Sequence, residues 1–70
     1  MAEIKAPMGG KVVKVSVKVG DKIAEDDEVL VLEAMKMEMP ILAEGDGTVA
    51  EVKVSAGQTV EAEQTLVVLS

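Results

Sequence analysis

The sequence contains no cysteine, no histidine and no aromatic residue. Without cysteine no disulfide can form. The missing cysteine and histidine also exclude the usual zinc sites, nucleophile–imidazole pairs and imidazole acid–base catalysis. A hydrophobic core without Phe, Tyr or Trp has to be built from Val, Leu, Ile, Ala and Met. Because valine is frequent and β-branched side chains favour strands, the composition predicts an all-β protein.

Length and charge narrow the class of protein further. A chain of 70 residues predicts one domain, residues 1–70. A net charge of −6 argues against nucleic acid and anionic membranes as partners, and suits docking against basic protein surfaces. No apolar stretch is long enough to span a membrane, and the first five residues lack the apolar run of a signal peptide. We therefore expect a cytoplasmic protein, or a mitochondrial matrix protein if the source is eukaryotic, that is monomeric on its own.

The sequence contains an internal repeat of two copies. Ala6 of the first copy corresponds to Ala43 of the second, a shift of 43 − 6 = 37 positions. Apolar residues and glycines agree between the copies while surface positions differ, as expected when one structural unit is used twice. The other matched pairs are Gly10/Gly47, Val12/Val49, Val15/Val52, Val17/Val54, Gly20/Gly57, Val31/Val68 and Leu32/Leu69.

Each copy has the pattern of β structure. Valines alternate with polar residues over residues 13–19, which predicts a strand with one polar face, and residues 50–56 repeat the pattern. A glycine turn, a short apolar segment and a polar loop follow in each copy. A final strand is predicted at residues 29–32 of the first copy and 66–69 of the second.

About four short strands per copy give eight in total. One four-stranded sheet would leave its apolar face in water, so we predict two four-stranded sheets packed face to face. The expected fold is a small antiparallel β-sandwich, or flattened barrel, with internal pseudo-twofold symmetry. Residues 29–42 are rich in helix-favouring residue types, so a helix there is an alternative, but the repeat and the internal Pro40 argue against it. Position 36 has no counterpart in the repeat, so the twofold would place Lys36 at one end of the domain and both termini at the other.

The segment of residues 33–38 breaks two local rules. Its two-residue loop, Met35-Lys36, joins predicted strands at residues 29–34 and 37–42. Such loops need positive φ and favour Asn-Gly or Asp-Gly. The same register places Glu33 opposite Glu38, an unfavourable pair of like charges. Local conflict within an otherwise consistent pattern indicates a functional site. A solvated surface lysine beside ordinary methionines is the alternative that the residues alone leave open.

The sequence Ala34-Met35-Lys36-Met37 resembles the A-M-K-M motif of the biotinyl domains of biotin-dependent carboxylases, decarboxylases and transcarboxylases. The resemblance covers nearly the whole chain. Its further elements are the opening Ala6-Pro7-Met8-Gly9-Gly10 and the turns Val19-Gly20-Asp21 and Ala56-Gly57-Gln58. The resemblance implies the barrel-sandwich fold of biotinyl and lipoyl domains.

The resemblance also implies a function. Lys36 would carry covalent biotin, attached by a biotin protein ligase that recognises the flanking residues Glu33, Ala34, Met35, Met37 and Glu38. The chain would be a non-catalytic carrier that moves a carboxyl group between a biotin carboxylase and a carboxyltransferase or decarboxylase. The other lysines would remain unmodified.

Three other functions are considered. A lipoyl carrier of a 2-oxoacid dehydrogenase-type system, with lipoate on Lys36, is the closest, although lipoyl domains usually carry Asp-Lys-Ala at the tip. A binding module that uses an exposed sheet edge is an alternative of another class. A metal site in the acidic run at residues 25–28 is the third, but this run lacks the ligand spacing and the glycine of a calcium loop, so no metal site is expected. The carrier function that the resemblance implies needs no catalytic residue in this chain, and none is expected.

Overall fold

The computed structural model describes residues 2–70, which form strands and turns only. Met1, the first residue of the predicted domain, lies outside the described residues. No helix in this part of the chain is long and apolar enough to cross a membrane. The eight strands are β1 Ala2–Lys5, β2 Gly10–Val15, β3 Lys22–Ile23, β4 Glu28–Ala34, β5 Met37–Leu42, β6 Gly47–Val52, β7 Thr59–Val60 and β8 Thr65–Leu69.

The strands form two four-stranded antiparallel sheets, as the sequence predicts. One sheet has the order β1-β8-β6-β3 and is called the terminal sheet; the other has the order β5-β4-β2-β7 and is called the hairpin sheet. Each sheet takes two strands from each copy of the repeat. The two copies are therefore interleaved, and neither copy forms a sheet by itself.

The predicted pseudo-twofold symmetry is present in the strand register. The pair Leu32–Met39 of the hairpin sheet corresponds, after the 37-residue shift, to the pair Leu69–Ala2 of the terminal sheet. The pair Val12–Leu32 corresponds in the same way to Val49–Leu69. The strand pairing is therefore the same in the two sheets. Where equivalent surface positions carry different residues, the backbone does not require the difference.

The core lies between the sheets and is entirely aliphatic. Among residues 2–70 no buried side chain is polar or charged. Full burial of a Val or Leu side chain contributes roughly 1.5–3 kcal/mol, so these residues are the main source of stability in a chain without disulfides. The largest fully buried side chains are Leu30, Leu32, Leu66, Val12, Val29, Val49, Val60 and Val67.

The prediction of a regular strand over residues 13–19 is wrong in its bounds and in the facing of Val13 and Val19, whereas Val15 and Val17 pack against the core as predicted. β2 ends at Val15, and an irregularity between Val12 and Lys14 shifts the register against β4. A bulge inserts one extra residue and shifts the alternation by one. Val12 therefore faces the core, whereas Val13 is 39% exposed and Val19, in the following turn, is 64% exposed. The equivalent irregularity follows Val49, and β6 ends at Val52, so the bounds predicted for the strand at residues 50–56 are also wrong, although Val52 and Val54 pack against the core as predicted.

The glycine turns after these strands are confirmed. Gly20 and Gly57 have φ values of 96° and 91°, a region that residues with a Cβ rarely occupy. In each turn the residue after the glycine closes the loop with its side chain. Asp21 Oδ2 accepts a hydrogen bond from the Lys18 amide at 2.9 Å. Gln58 Oε1 accepts the equivalent bond from the Ser55 amide at 3.2 Å.

Candidate functional site

The candidate site is the tip of the hairpin formed by β4 and β5. Ala34 pairs with Met37, so the loop consists of Met35 and Lys36 alone, as predicted. Their φ values are 53° and 64°, positive at both loop positions as a type I′ turn requires. The left-handed conformation costs roughly 1–2 kcal/mol per residue with a side chain. The tip therefore stores backbone strain that Asn-Gly would largely avoid.

The tip is supported by a rigid base. β4 lies between β5 and β2 within the hairpin sheet, and Leu30 and Leu32 of β4 are fully buried. Below the tip, β2 approaches β4 so closely that a Cβ at Gly10 would lie 2.6 Å from the carbonyl oxygen of Glu33. The absence of a side chain at Gly10 therefore lets β2 pack directly against β4 just before the turn.

The tip presents unusual side chains to solvent. Met35 is 87% exposed and Met37 is 70% exposed, although methionine is normally a core residue. Lys36 between them is also exposed. The ion pairs within residues 2–70 join Lys14 to Glu28 and Lys53 to Glu51. The Lys36 ammonium is therefore not held by an ion pair in this part of the chain, and it is accessible to a reaction partner.

Two carboxylates flank the tip. Glu33 and Glu38 lie directly opposite each other in β4 and β5, as predicted, and both are exposed. Neither has a cationic partner within 4.0 Å in the described chain. Lys11 of β2 is the strand partner of Glu33 on its other side. Lys36 therefore stands above two carboxylates that form no ion pair at contact distance, which a basic partner surface could pair with.

The structure brings the six predicted site residues together in one hairpin. Five are exposed, and Ala34 is the exception at 9% exposure, so it packs beneath the turn and cannot form a broad contact surface. Sequence reasoning did not identify the supporting role of Gly10. Its match to Gly47 in the repeat was visible, but its closeness to β4 depends on strand pairing that the sequence alone does not give.

Exposure by itself does not distinguish Lys36 from the other lysines. All seven lysines are exposed, and Lys36 is the one that occupies a positive-φ turn. The remaining lysines are Lys5, Lys11, Lys14, Lys18, Lys22 and Lys53. Within residues 2–70 the acidic side chains form no group of three that could hold a metal ion.

The family model and the curated relatives that match this chain point to the same family. A family model described as "Biotin-requiring enzyme", of the biotin/lipoyl family, matches residues 2–69. The chain is 48% identical over 65 residues to the biotin carboxyl carrier protein of Streptococcus mutans, covering 93% of this chain and 50% of that protein. It is 48% identical over 63 residues to the biotin/lipoyl attachment protein of Bacillus subtilis, covering 90% of this chain and 86% of that protein.

Solved structures share the fold. The Kluyveromyces lactis urea carboxylase matches with a TM-score of 0.91 at 30% identity, covering 99% of this chain and 6% of that enzyme. The lipoyl domain of the 2-oxoglutarate dehydrogenase complex from Azotobacter vinelandii matches with a TM-score of 0.83 at 32% identity, covering 100% and 96% of the two chains. The chain thus spans half the length of the Streptococcus relative and a small part of the urea carboxylase.

Proposed function

The chain belongs to the biotin/lipoyl family of biotin-requiring proteins, and from this premise we propose that it is a biotin carboxyl carrier with Lys36 as the acceptor of biotin. The observation that carries the assignment is the turn itself. Lys36 has a φ of 64° at the tip of a two-residue hairpin and lies between two methionines that are 87% and 70% exposed. The relatives named as biotin carboxyl carrier proteins support biotin over lipoate as the attached group.

The residues at the tip fit covalent attachment of biotin. The Lys36 amine is exposed and is held by no ion pair within residues 2–70, so a ligase can enclose it. The amine nitrogen would form an amide with the carboxyl group of biotin, activated as an acyl-adenylate, with release of AMP and loss of a proton from nitrogen. No other titratable residue lies within two positions of Lys36 except Glu38, so we expect the ligase to supply the base.

The flanking residues have different roles in this proposal. Met35 and Met37 present flexible, polarizable side chains that can adapt to a ligase surface. Glu33 and Glu38 offer unpaired carboxylates to basic residues of the ligase. Ala34 is a positioning residue, because its buried side chain fixes the start of the turn and leaves little surface to contact.

The carrier has partners that perform the chemistry. Biotin, once attached, supplies the group that holds a carboxyl group in transit. The chain itself provides a rigid base and an exposed tether, and a biotin carboxylase and a carboxyltransferase or decarboxylase provide the two reaction sites. A tether makes each visit effectively intramolecular, so weak docking is sufficient and allows departure.

Intact-mass measurement tests the assignment. The purified chain is incubated with biotin, ATP and a bacterial biotin ligase, beside Lys36→Arg and the matched control Lys22→Arg, which alters an exposed lysine of β3. One biotinyl group is expected on the parent and on Lys22→Arg, and none on Lys36→Arg. Loading of Lys36→Arg would overturn Lys36 as the acceptor. Loading of the parent by a lipoate ligase, and not by the biotin ligase, would identify a lipoyl carrier.

A further inference from the structure

The outer face of the hairpin sheet carries a shallow furrow that begins beside the tip. Its near part, of about 330 Å³, is lined by Lys11, Val12, Val13, Glu33, Glu38 and Gly57. Its far part, of about 410 Å³, is lined by Val13, Lys14, Glu28, Val31, Glu38 and Pro40. The two parts share Val13 and Glu38, so they are continuous. We call them together the sheet furrow.

The apolar character of the furrow is specific to the hairpin sheet. The 37-residue shift relates Val13 to Ala50 and Pro40 to Glu3 on the outer face of the terminal sheet. The paired registers of the two sheets are the same, so the fold does not require valine and proline on one face and alanine and glutamate on the other. The larger apolar residues occur on the face that adjoins Lys36.

A group attached to Lys36 can reach this furrow. The pair Val31–Pro40 lies three residue pairs below the Ala34–Met37 pair that closes the turn. At about 3.3 Å per residue this is a distance of roughly 10 Å. The arm of a biotinylated lysine has about eleven bonds from Cα to the ring, which extend to roughly 14 Å for bonds near 1.5 Å. The ring can therefore lie over the furrow without any movement of the backbone.

The chemistry of the furrow matches the ring of biotin. The ring has an apolar thioether portion and a ureido group with one carbonyl acceptor and two N–H donors. Val31 forms an apolar floor, 8% exposed, with Val13 and Pro40 beside it. The Lys14 ammonium can donate to the ureido carbonyl, and a Glu38 carboxylate oxygen can accept from a ureido N–H.

The polar rim of the furrow is partly preorganised. Lys14 Nζ lies 3.7 Å from Glu28 Oε2. The hydroxyl of Ser16 donates to the same Glu28 oxygen at 2.9 Å. Glu28 is thus held at the rim by two neighbours, and Lys14 is kept beside the apolar floor. Lys14 of β2 and Glu38 of β5 lie on strands on either side of β4, so a cation and a carboxylate flank the apolar floor at Val31.

We propose that the sheet furrow is an intramolecular resting site for the biotin ring carried on Lys36. The inference depends on the proposed function, because it needs biotin at that residue. Attachment raises the effective concentration of the ring at the furrow, so a shallow site of low intrinsic affinity is occupied for part of the time. Between visits to partner sites the ring would be partly shielded from solvent, and it would leave the furrow without breaking a strong contact.

Methyl-resolved NMR of the apo and the biotinylated chain tests the resting site. Intact mass first establishes loading, and no loading would overturn the carrier function and the resting site together. On the loaded chain we expect NOEs from ring protons to Val13 and Val31 methyls. Val13→Ala and Pro40→Glu, which introduce the residues found at the equivalent positions of the terminal sheet, should lose these NOEs and keep the dispersed spectrum of the fold. Ala50→Val, on the opposite outer face, is the matched control and should retain them.

Three outcomes would overturn the resting site while leaving the carrier function intact. One is a fully loaded chain whose shift changes stop at residues 33–38. Another is a set of ring NOEs to the Val31 methyls that persists unchanged in both furrow variants. The third is slower loading of Pro40→Glu without ring NOEs in the parent, which would assign the furrow to the ligase instead of the arm.

Discussion

Glu33 and Glu38 face each other across β4 and β5, in the second residue pair below the turn that carries Lys36. Directly opposed like charges destabilise a strand pair. In residues 2–70 neither carboxylate forms an ion pair within 4.0 Å, and the nearest cation in the strand register is Lys11, which lies opposite Glu33 on β2 and offsets part of the repulsion. The hairpin therefore combines two unfavourable features, this pair and the positive-φ turn, at the place where a partner enzyme would bind.

Replacing Glu38 with lysine should stabilise the domain. The change converts a like-charge pair into an attractive cross-strand pair, which contributes roughly 0.2–1 kcal/mol. We expect a higher midpoint of urea unfolding for Glu38→Lys and a lower rate of loading by biotin ligase. Glu25→Lys makes the same change in net charge in a loop away from the hairpin, so it controls for the general relief of negative charge. Equal stabilisation by the two variants would show that the opposed pair has no specific cost.

Two substitutions of Lys36 distinguish the backbone strain of the turn from the reactivity of the lysine amine. Glycine accepts positive φ, so Lys36→Gly should raise the free energy of unfolding by about 1 kcal/mol. Lys36→Arg keeps a side chain in the same conformation and should leave stability nearly unchanged. Both variants should fail to accept biotin. Thermal and urea unfolding of the unloaded proteins would test the difference, and equal stability of the two variants would contradict strain at this position.

Gly10 should tolerate no side chain. A Cβ there would lie 2.6 Å from the carbonyl oxygen of Glu33, a backbone atom that cannot rotate away. Gly10→Ala should therefore push β2 and β4 apart and lower the free energy of unfolding by about 1–3 kcal/mol. Gly45→Ala is the matched control, because a Cβ at Gly45 meets no atom within 4 Å. Comparable urea midpoints for the two variants would contradict the close approach.

Much of the fold could be predicted from the sequence because the same strand pattern occurs in both copies of the repeat. The 37-residue shift and the run of valines gave two sheets, eight strands and a pseudo-twofold. The bounds of β2 and β6 could not be predicted, because the irregularity after Val12 and Val49 depends on pairing with β4 and β8. The interleaving of the copies is likewise a property of long-range pairing. Alternation within one strand carries no information about its neighbour in the sheet.

The candidate site was predicted more completely than the fold around it. The two-residue loop and the opposed glutamates are local features, so the hairpin sequence alone predicts them. The burial of Ala34 and the close approach of Gly10 depend on the strand beside the hairpin and were not predicted. The sheet furrow was not predicted either, because it combines Val13, displaced to the surface by the bulge, with Val31 and Pro40 from two other strands.

Pro40 should keep the domain from associating through its exposed strand edge. β5 is the edge strand of the hairpin sheet, and Pro40 lies in its middle, paired with Val31 on the inner side. Proline has no N–H to offer a further strand, so it interrupts the row of unpaired backbone groups that would otherwise template pairing. The equivalent residue at the edge of the terminal sheet is Glu3, whose charge discourages association by a different means.

Pro40→Val restores the donor and adds a residue with high β-propensity. We expect the variant to form dimers or larger species as its concentration rises, measured by light scattering after size exclusion, while the parent remains monomeric. Pro7→Val is the matched control, because it restores an N–H at the other proline of the chain, which lies outside the strands. Association by both variants would point to a general loss of solubility, and a monomeric Pro40→Val would show that the β5 edge is protected without the proline. Association of Pro40→Val but not of Pro7→Val would show that Pro40, which also borders the sheet furrow, protects the β5 edge.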